Sequence, residues 1–170
     1  VPAMIYSVIV KIGIEILVAL GVFVLGCVAV LLLHLFGTMS IWIKFLAKRS
    51  PAQVFKDMRA VLITAFSTSS SNATLPAALA CAKDTLKLQP SVAGFVLPLG
   101  TTMNMSGTAL YEGCVVLFVA QVFGVDLSLG QQMTLLLLSV LSAVAVAGIP
   151  GGLLPLIAGL LTTFGIPAEG

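Results

Sequence analysis

Apolar residues run almost unbroken from about Ile5 to Leu46, and beyond that point apolar stretches alternate with short polar, glycine-bearing breaks. The first run exceeds the ~20 residues that carry a helix across a bilayer, so it predicts a spanning helix that tilts or overhangs the membrane. Within it Lys11 and Glu15 stand four residues apart, the spacing of a pair on one helical face. A second long apolar segment, Val92 to Val125, carries a polar centre, GTTMNMSGTALYE at Gly100 to Glu112. Hydrocarbon cannot hydrogen-bond a loosened backbone, so such a break predicts a spot where protein or a water-filled cavity receives the freed groups. Half-helices meeting there would aim partial positive charge and carbonyl oxygens into one volume, which suits an anionic solute beside a cation.

Two further apolar stretches are too short to cross. Val61 to Phe66 runs into Ser67-Thr68-Ser69-Ser70-Ser71-Asn72, and the chain resumes as Ala73 to Ala82 before Lys83, Asp84 and Lys87. Arms of this kind reach roughly 20 Å as helix against a hydrocarbon core near 30 Å. Basic residues flank both ends, including Lys44, Lys48, Arg49, Lys56 and Arg59 around Ser50-Pro51, and these predict a cytoplasmic base. The economical geometry is a re-entrant hairpin with a serine-rich tip. After Ser128-Leu129-Gly130 the pattern recurs: Met133 to Val146, the tip Ala147-Gly148-Ile149-Pro150-Gly151-Gly152, and Leu153 to Phe164. Its outer ends carry Asp126 and Glu169, which fits entry from the opposite face. Val144, Ala145, Val146, Leu153 and Leu154 flank this tip, where a plain surface turn would have polar neighbours.

The chain therefore divides into 1–49, a long transmembrane helix; 50–89, a first re-entrant hairpin; 90–126, a broken transmembrane helix; and 127–170, a second re-entrant hairpin. Hairpin, broken helix, hairpin is three quarters of an inverted repeat, and symmetry calls for a second broken helix after Gly170. The expected fold class is an all-α membrane protein, an inverted-repeat transporter.

Composition agrees. Of the 170 residues, 59% are hydrophobic and 8% charged, against roughly 25% charged in a soluble domain, and the mean hydropathy is +1.19. A net charge of +2 with scattered basic residues gives no nucleic-acid footprint. Cys27, Cys81 and Cys114 lack the close pairing of zinc or redox motifs and read as small core residues. His34 is the sole histidine, with no second ligand at helical spacing, and its expected role is packing or hydrogen bonding. Neither a charged leader nor a cleavage site opens the chain, which is expected to be an excerpt.

Among candidate chemistry, the first tip offers hydroxyls and amides at the mouth of a helix, which suits a carboxylate, although small residues also simply let helices approach. Glu112 lies four residues after Thr108, on one face. An acid at membrane depth costs about 2.5–3.5 kcal/mol on insertion scales and calls for a proton, cation or partner, unless it sits solvated at an interface. Ser106 is able either to ligate a cation or to bond its own turn. An intramembrane serine hydrolase built on Ser67 to Ser71 would need a positioned base, and His34 lies over thirty residues away on another element.

With STSSSNATLP (67 to 76), LPLGTTMNMSGTALYEG (97 to 113) and AGIPGG (147 to 152) assembled in order, the chain resembles the dicarboxylate/amino acid:cation symporters, the glutamate transporter homologues. ALGVFVLGCVAVLLLHLF is similar to the helix that precedes their first hairpin. The resemblance implies a homotrimer in the cell membrane, with a fixed scaffold and an elevator-type transport domain to which this segment corresponds. It further implies that Ser69, Ser71 and Thr108 face substrate, with Ile149 and its neighbour Gly152 closing over it. Sodium would be lined by Gly100, Thr102, Asn104, Met105 and Ser106, with carbonyls of Ala143, Val144 and Val146 completing one site. No organic cofactor is implied.

The family's usual NMDGT is here NMSGT, so Ser106 stands where a carboxylate holds sodium. A charge pair at 4 Å is worth on the order of 4 kcal/mol at an effective dielectric near 20, about three decades of affinity. That sodium site is expected to be weak or absent. Glu112 matches the glutamate linked with proton coupling in the animal branch, so the combination implies fewer sodium ions and a proton. The expected cargo is an acidic amino acid or C4-dicarboxylate, the alternative a neutral amino acid such as serine or threonine; the helix expected to carry the pairing acid and arginine lies beyond this sequence.

Overall fold

The computed structural model describes residues 14–146, 148, 149 and 151–167. Lys11 of the expected Lys11–Glu15 pair, the tip residues Ala147 and Pro150, and Glu169 lie outside them. The described chain is helical, and no strand occurs among the described residues.

Helix α1 (Ile14–Leu33) passes through a π-helical turn, His34–Thr38, into α2 (Met39–Phe45). The apolar stretch Leu17–Phe45 has 29 residues, about 43 Å of helix and well over the hydrocarbon thickness. Its side chains are apolar all round and largely exposed, as on a helix surrounded by lipid or by other membrane helices. Pro51 at the first position starts α3 (Pro51–Asp57), and the basic loop around it is exposed.

The first hairpin is α4 (Arg59–Thr68) packed on α5 (Ser71–Ala80), with 10 residues in each helix. At about 15 Å neither helix crosses a bilayer. The unwound tip is narrower than the polar run suggested, Ser69 and Ser70 alone. Thr68 explains this: its hydroxyl donates to the Thr64 carbonyl at 2.8 Å, so a polar residue stays inside the helix. Ser69 then takes the left-handed conformation at φ 48°, and Ser70 caps α5 by accepting from the Ala73 amide at 3.2 Å.

The broken helix is α6 (Pro90–Met103) and α7 (Ser106–Val122), a stretch of 33 residues in all. Here too the break is shorter than expected. Gly100, Thr101 and Thr102 remain helical, because the Thr101 and Thr102 hydroxyls donate to the carbonyls of Pro98 (2.7 Å) and Leu99 (2.9 Å). Only Asn104 (φ −114°, ψ 66°) and Met105 (φ −103°, ψ 53°) leave the helix.

A capping box at Ser128 and Gln131 opens α8 (Leu129–Ala145), and α9 (Leu154–Thr163) returns after the second tip. The core sits where α7, α8 and α9 meet, around Val116, Ala120, Leu135, Ile157, Leu160, Leu161 and Ile166. On its other side α7 packs against α1, with Phe23 stacked on Phe118 at 4.4 Å between ring centroids. The broken helix is thus the element that α1, α8 and α9 all contact.

Candidate functional site

The two tips meet. Ser70 Oγ donates to the Gly148 carbonyl at 2.6 Å, and the Asn72 amide donates to the same oxygen at 3.3 Å. This carbonyl of the second tip is seated at the N-terminus of α5, where unsatisfied amides and the helix dipole favour an acceptor. A Cβ built on Gly148 would stand 3.1 Å from Asn72 Oδ1 and 3.2 Å from Ser71 Cβ, so the approach depends on glycine.

Two cavities flank the break in the helix, the smaller of them beside this contact. The smaller, about 440 Å³, lies between the first hairpin and α6 and is lined by Ser69, Ser70, Ser71, Thr74, Gly100, Thr101 and Asn104 with apolar neighbours. The larger, about 670 Å³, lies along α7 and α8 and takes in His34, Asn104, Met105, Ser106, Ala143 and Val144 among mostly apolar residues. Asn104 lines both. Ser69, Ser71 and Gly100 therefore share one cavity; Met105, Ser106, Ala143 and Val144 share the other; the unwound Asn104 joins them. Thr102, Thr108, Glu112, Val146, Ile149 and Gly152 line neither. Thr108 is half-buried on the first turn of α7, Val146 is buried at the end of α8, and Ile149 is exposed on the second tip.

At the break, Gly100 and Met105 carbonyls accept from the amides of Asn104 and Ala109, both at 3.1 Å, so each keeps one lone pair for another partner. Ser106 Oγ does not bond its own turn. It pairs with His34 Nε2 at 2.9 Å across 72 residues of sequence. His34 opens the π-helical turn, a local widening that recurs at functional positions.

Glu112 is fully buried on α7. Ser142 on α8 donates its hydroxyl to Glu112 Oε2, while Oε1 has no hydrogen-bond partner among the described residues. The solvated, interfacial reading of this acid is thereby excluded for the chain as it folds here. Sequence reasoning singled out Glu112 and missed Ser142 and Ser139, which sit in an apolar arm; the i, i+3 spacing of the two serines on one face was the available signal. It also passed over Ser70, Asn72 and Gly148 as contact residues within tips it had identified.

The profile of the sodium:dicarboxylate symporter family matches residues 1–170. The chain belongs to this family. Over 148 residues it is 39% identical to the putative sodium-dependent excitatory amino acid transporter glt-4 of Caenorhabditis elegans, a match covering 86% of this chain and 30% of that protein. It is likewise 39% identical over 150 residues to excitatory amino acid transporter 4 of Mus musculus, covering 88% of this chain and 27% of the relative. Excitatory amino acid transporter 3 of the same species is 34% identical over 155 residues, 91% of this chain and 30% of the relative. The chain spans less than a third of the length of these curated relatives. A symporter family moves solutes without covalent chemistry, which sets the hydrolase alternative aside. The histidine that such a hydrolase would need is engaged at Ser106, on another helix from the tip serines.

Proposed function

We propose that this segment is the ion- and cargo-holding part of a secondary active symporter for acidic amino acids or C4-dicarboxylates, driven by sodium and set in the cell membrane. The observation that carries the reading is the junction itself: two hairpin tips in direct contact beside the one residue, Asn104, that both cavities share. In this arrangement the tips act as gates. Ser69, Ser71 and Thr108 face the cargo, with Ile149 and Gly152 over it. Oxygens of Gly100, Thr102, Asn104, Met105, Ala143, Val144 and Val146 serve sodium, which is cargo rather than a resident group. Ser106, neutral and engaged by His34, contributes a weakened site, and Glu112 carries a proton. Transport proceeds by an elevator-type movement within a homotrimer. Occupying either cation or cargo orders the same short unwound backbone, which links their affinities.

The family is named for dicarboxylates and the relatives for excitatory amino acids; carboxylate recognition is common to both. One observation favours the neutral alternative: no cationic side chain lines the smaller cavity among the described residues. Competition decides between them. In vesicles with a sodium gradient, unlabelled aspartate and succinate are expected to suppress labelled aspartate uptake while serine does not; suppression by serine alone would move the cargo to the neutral class, and absence of any sodium-driven uptake would defeat the symporter reading.

A further inference from the structure

Ser142 has one hydroxyl hydrogen and two acceptors within reach. One is Glu112 Oε2 on the facing helix; the other is the carbonyl of Ser139, 3.2 Å away on its own helix. One hydrogen cannot serve both, and the charge on Glu112 decides. An ionised carboxylate is the stronger acceptor and holds the hydrogen across the α7–α8 seam. Once Oε2 carries a proton, the acid becomes the donor to Ser142 Oγ, and the serine hydrogen turns onto the Ser139 carbonyl. That carbonyl belongs to the turn of α8 that leads into Ala143, Val144 and Val146, and a serine bonding back onto its helix loosens and bends that turn.

We infer that Ser142 is the positioning residue through which the protonation of Glu112 acts on the second hairpin: one proton gained on Oε2 reverses the hydrogen bond between α7 and α8 and redirects the serine hydrogen into the backbone of the gate arm. The inference rests on the reading of Glu112 as the proton carrier and adds the route from it to the gate.

The surroundings leave this exchange undisturbed. α8 and α9 carry no titratable side chain. On α7 itself Tyr111 is partly exposed, and Cys114 faces Cys27 of α1. His34 is held at Ser106. Among the described residues Ser142 is the one side chain hydrogen-bonded to the Glu112 carboxyl. Ser139 contributes a second buried hydroxyl on the same face, lying against Gly113 and without a partner among the described residues.

The test is the pH profile of sodium-driven uptake by the full-length protein in vesicles, for native protein, Glu112→Gln, Ser142→Ala, Ser142→Thr and Ser142→Cys. Glu112→Gln is expected to flatten the profile. Ser142→Ala keeps the acid but takes away the donor to its ionised form, so the midpoint moves to higher pH by about one unit, tenfold in proton concentration. The apparent sodium affinity, expected to vary with pH in the native protein, then ceases to do so. Ser142→Thr restores both behaviours, and Ser142→Cys, with its weaker donor, falls between. A carboxyl stretch in infrared difference spectra that Glu112→Gln removes and Ser142→Cys shifts would support the same link without any transport, and serves if Ser142→Ala does not fold. A flat Glu112→Gln profile beside a native-like Ser142→Ala profile would overturn the inference alone; an unchanged Glu112→Gln profile would overturn the reading beneath it.

Discussion

Gly148 shows how much rests on a missing side chain. Its carbonyl takes two donors from the first tip, and its Cα stands so close to Ser71 and Asn72 that a methyl group would sit 3.1–3.3 Å from their atoms. Gly148→Ala is therefore expected to push the tips apart by a few tenths of an ångström and to weaken a hydrogen bond worth about 1 kcal/mol net. The ratio of closed to open tips should fall roughly fivefold. A Ser71→Cys reporter labelled by a water-soluble maleimide measures it: labelling about five times faster in the Gly148→Ala background is the expected result, and equal rates would mean that the tips are not held together at this point. The identity of this glycine was visible in AGIPGG as a helix-redirecting residue. What it touches was not, because the contact joins residues 70 and 148, and no local pattern records a pairing across that separation.

Among the elements, the sequence pattern did not foresee the short α3 within the basic loop, and it overstated the breaks at the first tip and in the broken helix. Polar residues in apolar sequence were read as unwound, yet Thr68, Thr101 and Thr102 satisfy their hydroxyls on carbonyls of the preceding turn and stay helical. Threonine can serve either purpose, so counting polar residues gives an upper bound on a break. The true breaks are two residues each at Ser69-Ser70 and Asn104-Met105. The start of α8 lies earlier than the expected arm at Met133, because a local cap that the apolar pattern does not record begins the helix at Leu129. Ser128 and Gln131 form a reciprocal box, with Ser128 N donating to Gln131 Oε1 at 2.9 Å and Gln131 N to Ser128 Oγ at 3.4 Å. Ser128→Ala removes the cap at the start of α8; Ser128 itself lines neither cavity, although Gln132 and Met133, one turn on, line the end of the larger one. The expected cost is about 1 kcal/mol, seen as a lowered melting temperature in detergent with half-saturating sodium and cargo concentrations unchanged; a shift in those concentrations would mean that the base of α8 takes part in binding.

For the molecule as a whole, the decisive feature is that a neutral hydroxyl stands at the start of α7, where the break, the larger cavity and α1 converge. Ser106 Oγ faces His34 Nε2 at 2.9 Å, so its hydrogen-bonding capacity is already partly taken before any cation arrives. Ser106→Asp places a full negative charge there. The Coulombic gain for a cation at 4 Å, on the order of 4 kcal/mol at an effective dielectric near 20, exceeds what a neutral hydrogen bond to the imidazole offsets, about 1 kcal/mol. The variant is accordingly expected to bind sodium at least tenfold more tightly and to carry one more sodium ion per cycle. Uptake against sodium concentration reads the first. The second appears in the sodium-to-cargo flux ratio, with pH held fixed so that Glu112 contributes equally in both proteins. If native protein and Ser106→Asp show the same half-saturating sodium and the same flux ratio, residue 106 does not set the ion count, and the partition of sodium oxygens around Asn104 proposed above would have to be redrawn without it.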